Sequence, residues 1–333
     1  MKALHIFAVH GKVNSGDFFL GPSTKDTFEK MTSKDVQWTN FNVRKLVTPS
    51  DVEYFNKFDA LIVGGGGLFL PDTNPNLTSC WQWACSSSLM RKIQAKIYVV
   101  GIGWNHFYNQ TIGMPNRNNS MEFDERFEVF KDNAETLIDK SVFFSMRHKG
   151  DVECLRSHVD SRFHNKITFE FCPVIDYVNQ KYSHNFSTGE YHTFEIKDDR
   201  PNRRYHKKNR DTFYNELLLF IKGLISKGEK IAVMSHDGSS TFIRFLQSKN
   251  VSFLLLNNTV ANEKKIVENY SKVKKLYCTA GHSQMMAYAL GLPFYSLITH
   301  DKLKYFLEDK GMFSEENYCM VNDQDINSKI GNK

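Results

Sequence analysis

The chain has no pair of cysteines in C-x-x-C spacing, no zinc-like ligand run and no apolar stretch long enough to span a bilayer. Its six cysteines (Cys80, Cys85, Cys154, Cys172, Cys278 and Cys319) are scattered, mostly in apolar runs. They read as free thiols that pack as small hydrophobes, which fits a reducing compartment. The opening KALHIFAV is too short and strand-like for an export signal, so a soluble, cytoplasmic protein is expected. Without such a signal, the Asn-x-Ser/Thr sequons at Asn76 and Asn185 read as chance products of an Asn-rich chain. A repeat of solenoid period is also missing. So is a large excess of one charge: the formal net charge is +6, and apart from Arg200 to Arg210 the basic residues are dispersed. That balance favours small anions as partners over a nucleic-acid tract.

What is present is globular. Apolar residues make up 41% and charged residues 24%, and 27 Phe with 14 Tyr supply ample aromatic area for burial. At 333 residues the chain exceeds the size at which one core stops growing, so two domains are expected.

Short apolar runs alternate with amphipathic ones. Ala3 to Val9, Gln37 to Val43, Ala60 to Val63, Ile97 to Ile102, Val142 to Met146 and Ile167 to Phe171 read as strands. Helices are expected near Asp17 to Met31, Pro49 to Asn56, Trp81 to Lys92, Phe123 to Asp139 and Lys149 to His158. The periodicity dissolves from Gln180 to Asn209, where only His192 to Ile196 is strand-like, and then restarts, ending in a helix from Lys302 to Lys310. Alternation of this kind is the signature of parallel βαβ units. The fold class expected is α/β, with two Rossmann-like domains facing across a cleft (GT-B type): 1–178, a linker at 179–210, and 211–333. One doubly wound domain with an insertion is the alternative.

Candidate chemistry sits where strands end, the edge at which open α/β sheets hold ligands. LYCTAGHSQMMAYALGLPFYSLI reads as strand, turn, helix, Gly-Pro stop and strand, with His282 at the helix start. Backbone amides and the positive helix end converge there, so the segment either holds an anion or merely caps a helix with a histidine. Near the N-terminus, HGKVNSGDFFL offers Asn14 and Asp17 as ligand contacts or helix caps. Gly64, Gly65, Gly66 and Gly67 follow a buried strand and permit close approach to a ligand, or a tight turn. They lack both the Walker ending and the G-x-G-x-x-G spacing. Beyond other strands lie Trp104 and Asn105, Arg147, and the pair His236 and Asp237. Arg147 offers a planar fork for carboxylate or phosphate, or else a structural ion pair. Trp104 and Trp81 either stack on a sugar ring or fill the core. His236 and Asp237 either help deprotonate an acceptor, as Asp17 would, or form a turn and cap.

Taken in order, NSGD, VGGGGLF, GIGWN, SMRHKGD and GHSQMMAYALGLP resemble the polysaccharide pyruvyl transferase family over roughly residues 3 to 310. The resemblance implies transfer of the enolpyruvyl group of phosphoenolpyruvate to a hexose, giving a pyruvate ketal and phosphate. It implies that Arg147 binds the donor and that His282 is the catalytic histidine. Asn14, Asp17, Gly64 to Gly67, Gly281 and Ser283 then fall on the donor side, and Trp104, Asn105, His236 and Asp237 on the acceptor side. A carbohydrate acceptor is the expected partner and phosphoenolpyruvate the co-substrate, with no cofactor or metal; self-association is left open. Where the family commonly has Arg-Leu-His, this chain has Ala280-Gly281-His282, so one positive charge is missing; Arg203, Arg204 and Lys275 are the candidate substitutes. A nucleotide-sugar glycosyltransferase and a non-catalytic saccharide-binding relative are the rival readings.

Overall fold

The computed structural model describes residues 1–8, 15–71, 74–105, 123–235 and 241–331. They divide into two compact units. The first draws on residues 1–8, 20–71, 74–105 and 123–173, and the second on 15–19, 174–235 and 241–331.

In the first unit, strands β1 (Lys2–Phe7), β2 (Gln37–Asn42), β3 (Ala60–Phe69), β4 (Lys96–Trp104), β5 (Ser141–Met146) and β6 (Thr168–Phe169) form a parallel sheet in the order β2-β1-β3-β4-β5-β6. Helices α1 (Ser15–Thr32), α2 (Pro49–Phe55), α3 (Ser87–Met90), α4 (Phe123–Lys140) and α5 (Lys149–Arg156) connect them. Strands as apolar as Leu61 to Val63, all fully buried, are what a sheet covered on both faces requires. Helix α2 begins on a reciprocal cap: Thr48 accepts from the Asp51 amide, Asp51 accepts from the Thr48 amide, and Pro49 supplies the first turn.

In the second unit, α6 (Pro173–Tyr182) leads into β7 (Tyr191–Glu195), α7 (Pro201–Arg204) and α8 (Arg210–Ser226). There follow β8 (Lys230–Ser235), α9 (Thr241–Ser248), β9 (Leu254–Asn257), α10 (Glu263–Tyr270), β10 (Val273–Cys278) and α11 (Gly281–Ala289). The chain ends with β11 (Phe294–Ile298), α12 (Asp301–Asp309), β12 (Tyr318–Met320) and α13 (Ile326–Gly331). The sheet order is β12-β11-β10-β7-β8-β9, again parallel throughout. Each unit has its own hydrophobic core.

Three expectations differ from what is found. The stretch 179–210 is not a linker: it carries β7, which pairs with β10 on one side and β8 on the other. The one strand-like piece expected there, His192 to Ile196, nearly coincides with β7, and it is a buried interior strand of the second sheet rather than part of a connector. The helix expected from Trp81 to Lys92 shrinks to Ser87–Met90. Buried Trp81 and Trp83 take an irregular path whose carbonyls are met by Asn76 Nδ2 (2.7 Å) and Ser79 Oγ (2.7 Å), so side chains replace the helical bonds. The glycine run does not leave the sheet, because β3 continues through it to Phe69. Among the described residues no helix is long and apolar enough to cross a membrane, and none of the six cysteines forms a disulfide.

Candidate functional site

Open α/β sheets tend to bind ligands where strand order reverses, which here is between β1 and β3 in the first unit and between β7 and β10 in the second.

In the first unit, Arg147 leaves the end of β5 with its amide bonded to the Ile102 carbonyl at 3.0 Å. The side chain is only 1% exposed. Gly103 makes room for it, since a methyl group there would overlap the guanidinium. Asp151, one turn into α5 and fully buried, brings Oδ2 to 3.8 Å from Nε, an ion-pair distance too long for a hydrogen bond. Among the described residues, Arg147 Nε and Nη2 have no hydrogen-bond partner. Buried N–H groups of a cation are costly to leave unpaired. A planar oxyanion is the ligand that fits such a fork.

The glycines of β3 serve packing first. Gly65 and Gly66 have φ of 41° and 93°, which side-chain-bearing residues rarely adopt, and Leu20 of α1 fills the space a Cβ would need at each. Beneath them lies His5, wholly buried, whose Nε2 is 2.8 Å from the Gly64 carbonyl. Burial lowers its pKa to about 3, the Gly64 bond opposing. The imidazole is therefore neutral and donates from Nε2.

In the second unit, β10 ends at Cys278. Thr279 joins it to β7, its amide donating to the Glu195 carbonyl (3.0 Å) and its Oγ1 accepting from the Lys197 amide (2.7 Å). Helix α11 then opens at Gly281, and Ala280 at its cap provides no side-chain acceptor for the leading amides. His282 is half-buried in that first turn. Residues 15–19, the start of α1, belong to the same unit. A methyl group at Gly16 would overlap the His282 ring. Helix α11 is fixed from behind by buried Gln284, which donates to the Leu303 carbonyl (3.2 Å) and accepts from Ser296 Oγ (2.8 Å).

The other candidates sort themselves by burial. Trp104 is 1% exposed, packed against Phe69 and Phe130 and stacked on His158 at 5.2 Å. It is a core residue with no ring face left for a sugar, which corrects its expected acceptor role; Trp81 is likewise buried. Asn105 is half-buried, and its Oδ1 has no partner among the described residues. Asp17 lies in the first turn of α1. Ser283 is fully buried and its hydroxyl is bonded to Tyr270, which leaves no side-chain contact for a ligand. Asn14, His236 and Asp237 lie outside the described residues. Of the substitutes for the missing arginine, Arg204 is committed to Asp199 (Nη2 to Oδ1, 2.6 Å) and to Thr299 (3.1 Å). Lys275 lies over the rings of Tyr277 and Tyr295.

Sequence reasoning passed over His5 and Asp151. Asp151 was legible as the residue four beyond Arg147 in the same motif, the spacing that brings side chains together on a helix. His5 had no signal, because a histidine between apolar neighbours in a strand reads like any interior position.

The profile of the polysaccharide pyruvyl transferase family matches residues 14–301. No curated protein matches the chain. Among solved structures, a putative UDP-N-acetylglucosamine 2-epimerase from Listeria monocytogenes is similar, with a TM-score of 0.60, 10% identity and coverage of 99% of this chain and 86% of that one. The UDP-GlcNAc 2-epimerase of Methanocaldococcus jannaschii, solved with UDP-GlcNAc and UDP, gives a TM-score of 0.56 at 11% identity, covering 99% of this chain and 92% of that one. At such identities the likeness is one of fold, and it agrees with two Rossmann-like units of the GT-B type. The match across residues 14–301, which takes in Gly16, Arg147 and His282, means that this chain belongs to the polysaccharide pyruvyl transferase family.

Proposed function

We propose that this protein transfers the enolpyruvyl group of phosphoenolpyruvate to a sugar of a glycan, forming a pyruvate ketal and releasing phosphate. The observation that carries the reading is the buried Arg147 fork, whose Nε and Nη2 have no partner among the described residues. A donor carboxylate or phosphate supplies the two acceptors that such a fork takes.

His282 is the proton donor of this scheme. Its proton goes to the methylene carbon of the donor, leaving positive charge on C2, which a sugar hydroxyl attacks. Loss of phosphate and attack by a second hydroxyl close the ketal. Of the two hydroxyl protons released, one replaces the proton given to carbon and the other leaves with phosphate. An imidazole has a reference pKa close to neutrality, as an acid that must also be recharged at each turnover requires. The amides opening α11 suit the leaving phosphate, because the leading N–H groups of a helix favour negative charge.

The test is a phosphate-release assay with phosphoenolpyruvate and a mixed glycan library, followed by mass analysis for the added pyruvyl group. Phosphate release and pyruvylated product are expected from the wild type, and a loss of both by at least about a hundredfold from His282→Ala. Full activity in purified, folded His282→Ala overturns the assignment. Calorimetric binding of a nucleotide sugar in place of phosphoenolpyruvate would give the function to the glycosyltransferase reading.

A further inference from the structure

Strand β3 is buried along its whole length except at Gly67. Gln82 and Asn105, which meet that glycine, are likewise only partly buried, whereas Leu68, Trp81, Trp83 and Trp104 beside them are sealed in the core. Both carboxamides lean on Gly67. Gln82 Nε2 donates to the Gly67 carbonyl at 3.1 Å, and a Cβ at Gly67 would stand 3.2 Å from Cβ and Cγ of Asn105 and 3.3 Å from its Nδ2. Gly67 is not among the positive-φ residues, so it serves to leave space rather than to permit a special backbone conformation. The backbone holds both side chains in place. The Gln82 amide donates to the Leu68 carbonyl (3.1 Å) and the Asn105 amide to the Phe69 carbonyl (2.8 Å).

Each carboxamide oxygen is nonetheless buried without a donor. Among the described residues, Gln82 Oε1 and Asn105 Oδ1 have no hydrogen-bond partner. The orientation of Gln82 is fixed by its network, since only the nitrogen end can donate to the Gly67 carbonyl. A buried amide oxygen left unpaired is costly, and the group that relieves it must bring an O–H or N–H of its own. The ionised carboxylate and phosphate of phosphoenolpyruvate bring none. A sugar hydroxyl does. Gly103, the seat of Arg147, lies two residues before Asn105, so the end of β4 carries two chemistries: a guanidinium for an oxyanion, and neutral acceptors for hydroxyl groups.

We propose that Gln82 and Asn105 bind hydroxyl groups of the acceptor sugar, and so determine which sugar is accepted. The proposal rests on the functional reading above. Its chemistry is discrimination by paired acceptors, because a site built to receive a hydroxyl rejects an analogue that lacks it.

Asn105→Leu is the variant that isolates the contact, since the Asn105 side chain has no hydrogen bond among the described residues and none is lost with it. Gln82→Met also removes the bond to Gly67, so a melting curve accompanies it. Gln94→Met, at an exposed glutamine just before β4, serves as the control. Binding of methyl hexopyranosides and their monodeoxy analogues to the full chain is followed by saturation-transfer NMR, and phosphate release gives separate KM values for hexoside and phosphoenolpyruvate. Asn105→Leu and Gln82→Met are each expected to weaken hexoside binding and raise the hexoside KM by about tenfold or more, with the KM for phosphoenolpyruvate unchanged. The wild type is expected to reject at least one monodeoxy analogue that a variant no longer distinguishes from its parent, and Gln94→Met to match the wild type. Unchanged hexoside binding and discrimination in both folded variants overturn the inference while leaving the pyruvyl reading intact. Hexoside binding that depends on Gln82 and Asn105 in a protein that does not consume phosphoenolpyruvate supports the sugar contact and overturns the reading. A wild type that binds none of the hexosides overturns the inference.

Discussion

The guanidinium of Arg147 lies against Gly103 so closely that no side chain fits between them. One residue thus forms the cation and another, on the neighbouring strand β4, forms its seat by having no side chain. Gly103→Ala is expected to displace Arg147 while leaving the backbone unstrained, since Gly103 is not among the positive-φ residues. The proposed reaction predicts a rise in the KM for phosphoenolpyruvate of about tenfold or more, as for loss of a bidentate contact. Phosphate-release kinetics beside a melting curve check it, and an unchanged KM would remove Arg147 from the donor site.

Asp151 makes the simplest arginine variant misleading. Arg147→Ala removes the cation 3.8 Å from a carboxylate that is fully buried, and breaking such a pair costs about 3–5 kcal/mol. The double variant Arg147→Met with Asp151→Asn is expected to regain most of that stability in denaturant unfolding yet remain inactive. Recovery of activity together with stability would reduce Arg147 to a structural role.

Gly16 separates propensity from function. In the first turn of α1, alanine is favoured over glycine by up to about 1 kcal/mol, so Gly16→Ala on its own merits should not destabilise the protein. The added methyl overlaps the His282 ring. The expected outcome is activity reduced about tenfold or more, with a fall in melting temperature kept small by the gain in helix propensity. A fully active Gly16→Ala protein would argue against the placement of His282 as the proton donor.

His5 predicts acid sensitivity with a definite sign. Burial lowers its folded-state pKa from 6.5 to about 3, so the unfolded chain binds a proton that the folded chain refuses. The stability it contributes is present above pH 6.5 and is lost as pH falls towards 3, at up to about 1.4 kcal/mol per pH unit from this one group. His5→Gln, which retains a donor for the Gly64 carbonyl, should flatten the unfolding free energy between pH 6.5 and 5 relative to the wild type. Parallel profiles for the two proteins would show that His5 does not titrate as a buried neutral imidazole.

The alternation of strands and helices was legible because parallel strands buried on both faces must be continuous apolar runs, as Leu61 to Val63 and Ile97 to Val100 are. His282 and Arg147 were legible for a related reason, since both stand just past such runs. Strand β7 was legible as the strand-like piece His192 to Ile196, but the basic and Asn-rich residues around it read as a linker, so its place between β8 and β10 was not. Trp104 exposed the limit of residue-type reasoning: an indole beyond a glycine looks the same whether it faces a sugar or Phe69 and Phe130, and only packing decides.

The interior position of β7 determines how the protein can be dissected. A fragment starting at residue 211 would retain five of the six strands of the second sheet but remove the one that bridges β8 and β10. Two buried edges would then face each other with unmet amides and carbonyls, inviting pairing between molecules. Any piece meant to carry His282 alone must therefore begin before β7.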